Sequence, residues 1–191
     1  MKYSTSELIV ERYYRLKKWL VERDVPILPQ DGKRFWSDLD ILAVGDEVHL
    51  VSCKDFLPSN KEIDKVIKNL GDAEKYIKKE YDYLKNKKFR KIYVYGGSGK
   101  KSIEKAQKNE IETIELKVLL AKYFKELDNY LSKMNLGRKD IGKGKRYYII
   151  GELEGLDKFM SFLLNNNLIN DEVINELLKK NNIDKLSEPR L

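Results

Sequence analysis

The residues best suited to chemistry lie on two predicted strands joined by a short turn, in the segment WSDLDILAVGDEVHLVSCKD (36–55). Polar and apolar side chains alternate there, and every second side chain of a strand points to the same face of a sheet. One face therefore carries Asp38, Asp40, Ser52 and Lys54. Two carboxylates and an amine are costly to bury together without a partner, which a divalent metal or a phosphate would supply.

Three other residues of this hairpin are expected to have structural roles. Gly45 lies in the turn, where a positive φ costs glycine nothing sterically. Strand parity puts His49 and Cys53 on the face opposite Ser52. His49 is predicted to be a packed or surface residue rather than a base, and Cys53 a small core hydrophobe. A Ser-His-Asp or Cys-His mechanism therefore has poor support.

The composition limits the class of protein. A length of 191 residues predicts one domain, or one domain with an appendage. The 38 basic residues outnumber the 31 acidic ones, which gives a net charge of +7. This balance favours a polyanionic partner, nucleic acid first, although a lysine-rich proteome would produce it too. A single cysteine excludes an internal disulfide and a multi-cysteine zinc site. With no signal peptide and no membrane-spanning run, we expect a cytoplasmic protein with no membrane partner.

The first predicted helix covers residues 4–23 and is capped by Ser4, Thr5 or Ser6. Its apolar stripe includes Leu16 and Leu20. Glu7 and Glu11 lie on the flank of that stripe, and either one could lean over a sheet edge toward the paired aspartates. Glu7 has the better angle. The alternative for each is an ordinary solvated helix charge.

The remaining elements follow from hydrophobic periodicity. Residues 91–116 read as strand, helix and strand, which predicts a parallel crossover. The segment GGSGKKS (96–102) lacks the spacing of a P-loop and is interpreted as a strand-to-helix turn. The other predicted elements are an extended segment at 25–29, strands at 35–44 and 47–54, a long helix from Ser59 or Asn60, and helices at 117–134, 153–166 and 171–181.

A glycine- and lysine-rich stretch, LGRKDIGKGKR (136–146), is a candidate nucleic-acid contact. Its cationic side chains could neutralise several phosphates and give salt-dependent binding without sequence preference. A solvated linker is the alternative. The candidate contact residues are Arg138, Lys139, Lys143, Lys145 and Arg146.

The order of elements, together with Asp40 on one strand and Lys54 on the next, resembles the PD-(D/E)xK nuclease superfamily. That superfamily includes restriction endonucleases and archaeal Holliday junction resolvases. The resemblance rests on SDLDILAV and VSCKD and covers about residues 4–120. It implies an α/β fold, with a restriction-endonuclease-like mixed central sheet flanked by helices and a helical C-terminal extension. The corresponding domains are a nuclease-like core at 1–120 and an extension at 121–191.

The resemblance also implies an activity, namely Mg²⁺- or Mn²⁺-dependent hydrolysis of phosphodiester bonds in DNA. Asp40 would be a metal ligand, and Lys54 would help to orient the attacking water. Two positions depart from the pattern, because Leu39 replaces a proline and Ser52 replaces the second carboxylate. The serine brings no charge to a metal, for which anionic oxygen is the preferred ligand.

Three residues are candidates to replace the missing carboxylate: Asp38, Glu7 and Glu11. The alternative function is a catalytically degenerate nuclease fold that acts as a nucleic-acid-binding or assembly subunit. Branched DNA or RNA as the substrate, and a homodimer as the assembly, stay open.

Overall fold

A computed structural model describes residues 4–28, 37–55, 59–97, 100–133 and 171–180. The fold is α/β, with a five-stranded mixed sheet flanked by helices, as predicted. Two compact units, Met1–Leu119 and Leu120–Leu191, are each described by themselves. The elements are α1 (Thr5–Leu16), β1 (Leu20–Ile27), β2 (Ser37–Val44), β3 (Val48–Lys54), α2 (Asn60–Glu80), a 3-10 turn (Asp82–Leu84), β4 (Phe89–Tyr95), α3 (Lys100–Lys108), β5 (Ile111–Glu115), α4 (Leu116–Lys133) and α5 (Asp171–Lys180).

The five strands lie in the order β1-β2-β3-β4-β5. The pairs β1–β2 and β2–β3 are antiparallel, whereas β3–β4 and β4–β5 are parallel. The predicted parallel crossover is therefore confirmed, with α3 connecting β4 to β5. None of the helices within the described ranges is long and apolar enough to cross a membrane.

The predicted first helix is wrong beyond Leu16. Lys18 adopts a positive φ of 61°, which ends the helix, and the chain then reverses into β1. Leu20, which was expected on the buried helical stripe, pairs with Val44 of β2 and is 75% exposed. The apolar spacing of this segment suits a helix, but a helix to residue 23 would lose the four register pairs that residues 20–23 form with β2.

The two helices that flank the sheet begin at capping boxes, in which a serine hydroxyl and a glutamate satisfy two free backbone donors. In α1, Ser4 Oγ accepts from the Glu7 backbone N–H at 3.2 Å, and the Glu7 carboxylate accepts from the Ser4 N–H at 3.4 Å. In α2, the matching distances between Ser59 and Glu62 are 3.3 and 2.6 Å. The predicted helix starts near Ser4 and Ser59 are confirmed.

The helices α1 and α2 cover opposite faces of the sheet. His49 on β3 bonds to Tyr14 of α1, whereas its neighbour Leu50 belongs to the core that α2 covers. Consecutive strand residues point to opposite faces of the sheet, so α1 packs on one face of β3 and α2 packs on the other. The core under α2 contains fully buried side chains including Ile63, Leu70 and Ile77. Burying each such side chain stabilises the fold by roughly 1.5–3 kcal/mol.

Gly45 has a different role from the one its turn position suggested. Among the described glycines, a positive φ occurs at Gly97, with φ 91°, and not at Gly45. A Cβ added at Gly45 would overlap the indole ring of Trp19. The Trp19 ring lies 4.7 Å from the His49 ring, centroid to centroid. Glycine is therefore required here because an aromatic cluster packs directly on the backbone of the turn.

His49 is a packed residue, as predicted. Its Nδ1 lies 2.7 Å from the Tyr14 hydroxyl, and its Nε2 lies 3.4 Å from Glu47. Burial lowers the pKa of His49 to about 4, although the neighbouring Glu47 opposes this shift. The ring is therefore neutral near pH 7. A proton on Nε2 would then face Glu47 and leave Nδ1 to accept from Tyr14.

The lowered pKa of His49 predicts acid sensitivity. Since the pKa falls from 6.5 to about 4 on folding, the unfolded chain binds the proton more readily. The stabilisation is complete above pH 6.5 and is lost progressively as the pH falls towards 4. Urea unfolding at pH 7.5, 5.5 and 4.5 should show this fall, and His49→Gln should flatten it. A variant with the wild-type slope would contradict the role of His49.

Candidate functional site

Asp40 and Ser52 meet on adjacent strands. Ile41 of β2 and Val51 of β3 form the last pair of the register, and Asp40 and Ser52 are the next residues along each strand. The Ser52 hydroxyl donates to Asp40 Oδ2 at 3.0 Å, and the Cys53 backbone N–H donates to the same oxygen at 2.6 Å. These two donors fix the carboxylate. The other oxygen, Oδ1, accepts no hydrogen bond within the described residues and is available to a ligand.

Lys54 follows Ser52 by two residues on β3 and therefore shares its face, and Asp38 precedes Asp40 by two residues on β2. Both side chains are exposed, and in the described part of the chain neither forms an ion pair. The structure thus brings Asp40 and Ser52 into direct contact, and Lys54 lies two residues beyond Ser52 on β3, whereas no contact within the described residues joins Asp38 to this group.

Contacts with Gly96 and with the first turn of α1 fix the C-terminal end of β3. The Gly96 N–H donates to the Lys54 carbonyl at 2.9 Å, and a Cβ at Gly96 would overlap the carbonyl oxygen of Asp55. The Asp55 carboxylate accepts from the backbone N–H groups of Thr5 and Ser6, at 3.1 and 2.8 Å. Although burial opposes it, hydrogen bonding from Ser6 and Thr5 lowers the pKa of Asp55. Asp55 points away from Lys54 and ties β3 to the first turn of α1.

Tyr93 is a residue of this face that the sequence analysis missed. It pairs with Ser52 across β3–β4, so its side chain lies on the same face as Asp40. The residue is completely buried, and its hydroxyl has no hydrogen-bond partner in the described part of the chain. Burial, followed by the charges of Glu62 and Asp40, raises the pKa of Tyr93. The group therefore keeps its proton. The alternation of side chains in IYVYG (92–96), together with parallel pairing of this strand to β3, would have predicted that Tyr93 lies beside Ser52.

The two helical glutamates have partners of their own. Glu7 closes the capping box of α1 through its contact with the Ser4 N–H. Glu11 is buried and bridges Arg15 at 2.8 Å and Arg23 at 2.9 Å. Arg23 pairs with Ile41, so this bridge lies over the face opposite Asp40. The described contacts of both glutamates are thus with α1 and β1 rather than with the aspartates.

Carboxylates are sparse at the site. Among the residues described, no three Asp, Glu, His or Cys side chains come together as a metal-ligand set. Cys53 is buried, as predicted, and burial followed by the charge of Asp40 raises the pKa of its thiol.

Two predictions for the C-terminal part of the chain lie outside the described residues. They are the helix at 153–166 and the candidate nucleic-acid contacts Arg138, Lys139, Lys143, Lys145 and Arg146.

No protein-family model, curated protein or solved structure matches this chain. The assignment of a function therefore depends on the geometry of the site and on the sequence pattern.

The buried hydroxyl of Tyr93, which has no hydrogen-bond partner in the described part of the chain, predicts how Tyr93→Phe changes the free energy of unfolding. A buried donor without a partner costs about 1–3 kcal/mol, so Tyr93→Phe should leave the free energy of unfolding unchanged or raise it. Tyr14→Phe is the matched control, because it removes a hydroxyl that bonds to His49 and should cost about 1 kcal/mol. Urea denaturation measures both. A Tyr93→Phe variant that loses as much stability as the control would reveal a partner for the hydroxyl.

Proposed function

We propose that this protein is a metal-dependent nuclease that hydrolyses phosphodiester bonds of DNA. The observation that carries the proposal is the fixed Asp40 carboxylate, which Ser52 and Cys53 hold at 3.0 and 2.6 Å, with the free ammonium of Lys54 on the same face. A positioned carboxylate beside an unpaired cation suits a phosphate and its counter-ion.

Asp40 Oδ1 would be the principal protein ligand of a Mg²⁺ or Mn²⁺ ion, and Asp38 is the candidate for a second carboxylate. Mg²⁺ commonly binds to one or two carboxylates and completes its shell with water and substrate phosphate, so a site without three acidic side chains is compatible with it. The bound ion would lower the pKa of a water molecule and neutralise charge on the phosphate. Glu7 and Glu11 are not needed as ligands, given their contacts within α1 and β1.

The protein groups would act on the substrate as follows. Lys54 would bind a non-bridging phosphate oxygen and stabilise the charge that develops there during attack. Ser52 would keep Asp40 in one rotamer, so that its free oxygen faces the substrate.

The sequence supports the same proposal. The element order α–β–β–β–α–β–α–β and the pair Asp40 and Lys54 resemble the PD-(D/E)xK superfamily. The net charge of +7 favours a polyanionic substrate.

A second function is favoured by one observation, the hydroxyl of Ser52 in the position of a carboxylate. With its proton donated to Asp40, Ser52 adds no charge to a metal site. The protein would then be a catalytically degenerate nuclease fold that binds nucleic acid or serves as an assembly subunit. Both functions predict salt-dependent DNA binding, and only the first predicts cleavage.

A cleavage assay on single-stranded, duplex and branched DNA tests the proposal. With Mg²⁺, wild type should cut at least one substrate, and Asp40→Ala or Lys54→Ala should lower the rate by at least about 100-fold. Asp46→Ala and Lys85→Ala, at exposed positions of the turn and the 3-10 region, are controls that should cut like wild type. Binding without cleavage would favour the degenerate subunit. If the protein neither binds nor cuts at low salt, both functions are excluded.

Ser52→Asp tests whether the serine limits metal binding. A carboxylate beside Asp40 introduces like-charge repulsion, which lowers stability in the absence of metal and strengthens divalent-ion binding. We expect Mg²⁺ to raise the melting temperature of Ser52→Asp by several degrees more than that of wild type. Ser52→Asn is the uncharged control. Equal responses to Mg²⁺ in all three proteins would mean that this position does not face a metal site.

A further inference from the structure

The solvent-facing side of α2 carries a row of lysines. Residues that recur every three or four positions share one face of a helix, and all five lysines of this row are exposed. Asp72 is the acidic residue within the row. At 1.5 Å per residue the row extends about 27 Å along the helix. Its members are Lys61, Lys65, Lys68, Lys75 and Lys79.

Four of the five lysines in this row differ from the neighbouring lysines, because they form no ion pair within the described residues. On the flank of α2, Lys78 bonds to Glu74 at 2.5 Å, and Lys105 of α3 bonds to Asp64 at 2.6 Å. Lys79, at the end of the row, contacts Glu80 at 3.8 Å. Within the described residues, no acid pairs with the other four members: Lys61, Lys65, Lys68 and Lys75. The row therefore carries five positive charges, with Asp72 inside it and Glu62 close enough to Lys65 for their charges to interact.

The lysine row begins beside the candidate site. Hydrogen bonds from Ser59 lower the pKa of Glu62 in the first turn of α2, and the charge of Lys54 contributes to the shift. Glu62 also raises the pKa of Tyr93, after burial. The first turn of α2 is thus within electrostatic reach of the site, and the row continues from there to the far end of the helix.

We propose that the lysine row of α2 binds the phosphate backbone of duplex DNA and aligns the duplex with the Asp40–Lys54 face. The choice of DNA rests on the proposed function, whereas the requirement for a linear polyanion comes from the row itself. Duplex DNA carries one charge per about 1.7 Å when both strands are counted, so about 27 Å of it holds about 16 phosphates, of which those on the near side would face the row. A membrane surface is a poorer occupant, because interfacial helices insert an apolar face, and the apolar face of α2 is buried against the sheet.

Binding of a labelled 20-base-pair duplex, measured by fluorescence anisotropy in EDTA over a series of salt concentrations, tests the proposal without cleavage. The test variant carries Lys65→Gln, Lys68→Gln and Lys75→Gln, which are remote from the site. The control variant carries Lys18→Gln, Lys85→Gln and Lys88→Gln, which remove the same charge from exposed positions elsewhere. Each lost phosphate contact lowers the slope of log K against log [salt] by about 0.9, so the test variant should lose up to about 3 and the control little.

The outcomes separate this proposal from the nuclease proposal. Weakened binding and a lower salt slope in the test variant alone support the lysine row, whether or not wild type cuts DNA. Equal losses in the two variants, or unchanged binding by the test variant, would overturn it, even for an active nuclease. The proposal also fails if wild type does not bind the duplex at 20 mM salt, or if an RNA duplex of equal length binds more tightly. Equal melting temperatures of the variants confirm that each is folded.

Discussion

The rest of the structure depends on the position of β3 at the centre of the sheet, where each of its faces is covered by a different helix. On one face, His49, Val51 and Cys53 are buried on the side of α1. On the other, Val48 and Leu50 belong to the core under α2, and the same face then becomes polar at Ser52 and Lys54. This change from apolar to polar residues coincides with the point where α2 begins. A single strand therefore contributes to two cores and to the candidate site.

Strand alternation is the part of the fold that the sequence could predict well. It placed Asp40, Ser52 and Lys54 on one face, because the period of two is fixed by backbone geometry and does not depend on distant contacts. The starts of α1 and α2 were also predictable, since Ser4 and Ser59 satisfy local backbone donors through their own side chains. The fold class followed from the order of these local patterns.

Contacts between residues far apart in the chain account for what the sequence did not predict. Residues 20–23 continue the apolar spacing of the first helix, and pairing with β2 makes them part of a strand. Gly45 is required by the ring of Trp19, which lies 26 positions earlier in the sequence and reaches the turn only in the folded protein. The roles of Tyr93 and Asp55 likewise depend on strands and helices that meet after folding. The side-chain contacts at the candidate site could not be predicted from local sequence either, because they join residues that are far apart in the chain.

Positive charge is distributed differently at the two ends of β3, namely the end at the hairpin turn and the end at Lys54. At the hairpin turn, Glu47 forms ion pairs with Arg90 at 2.5 Å and with Lys88 at 2.9 Å. Burial opposes it, but hydrogen bonds from Lys88, His49 and Arg90 lower the pKa of Glu47. Positive charge there is neutralised within the protein. At the other end, Lys54 has no acidic partner among the described residues. Positive charge is therefore paired at the hairpin turn and exposed at the Lys54 end of the same strand.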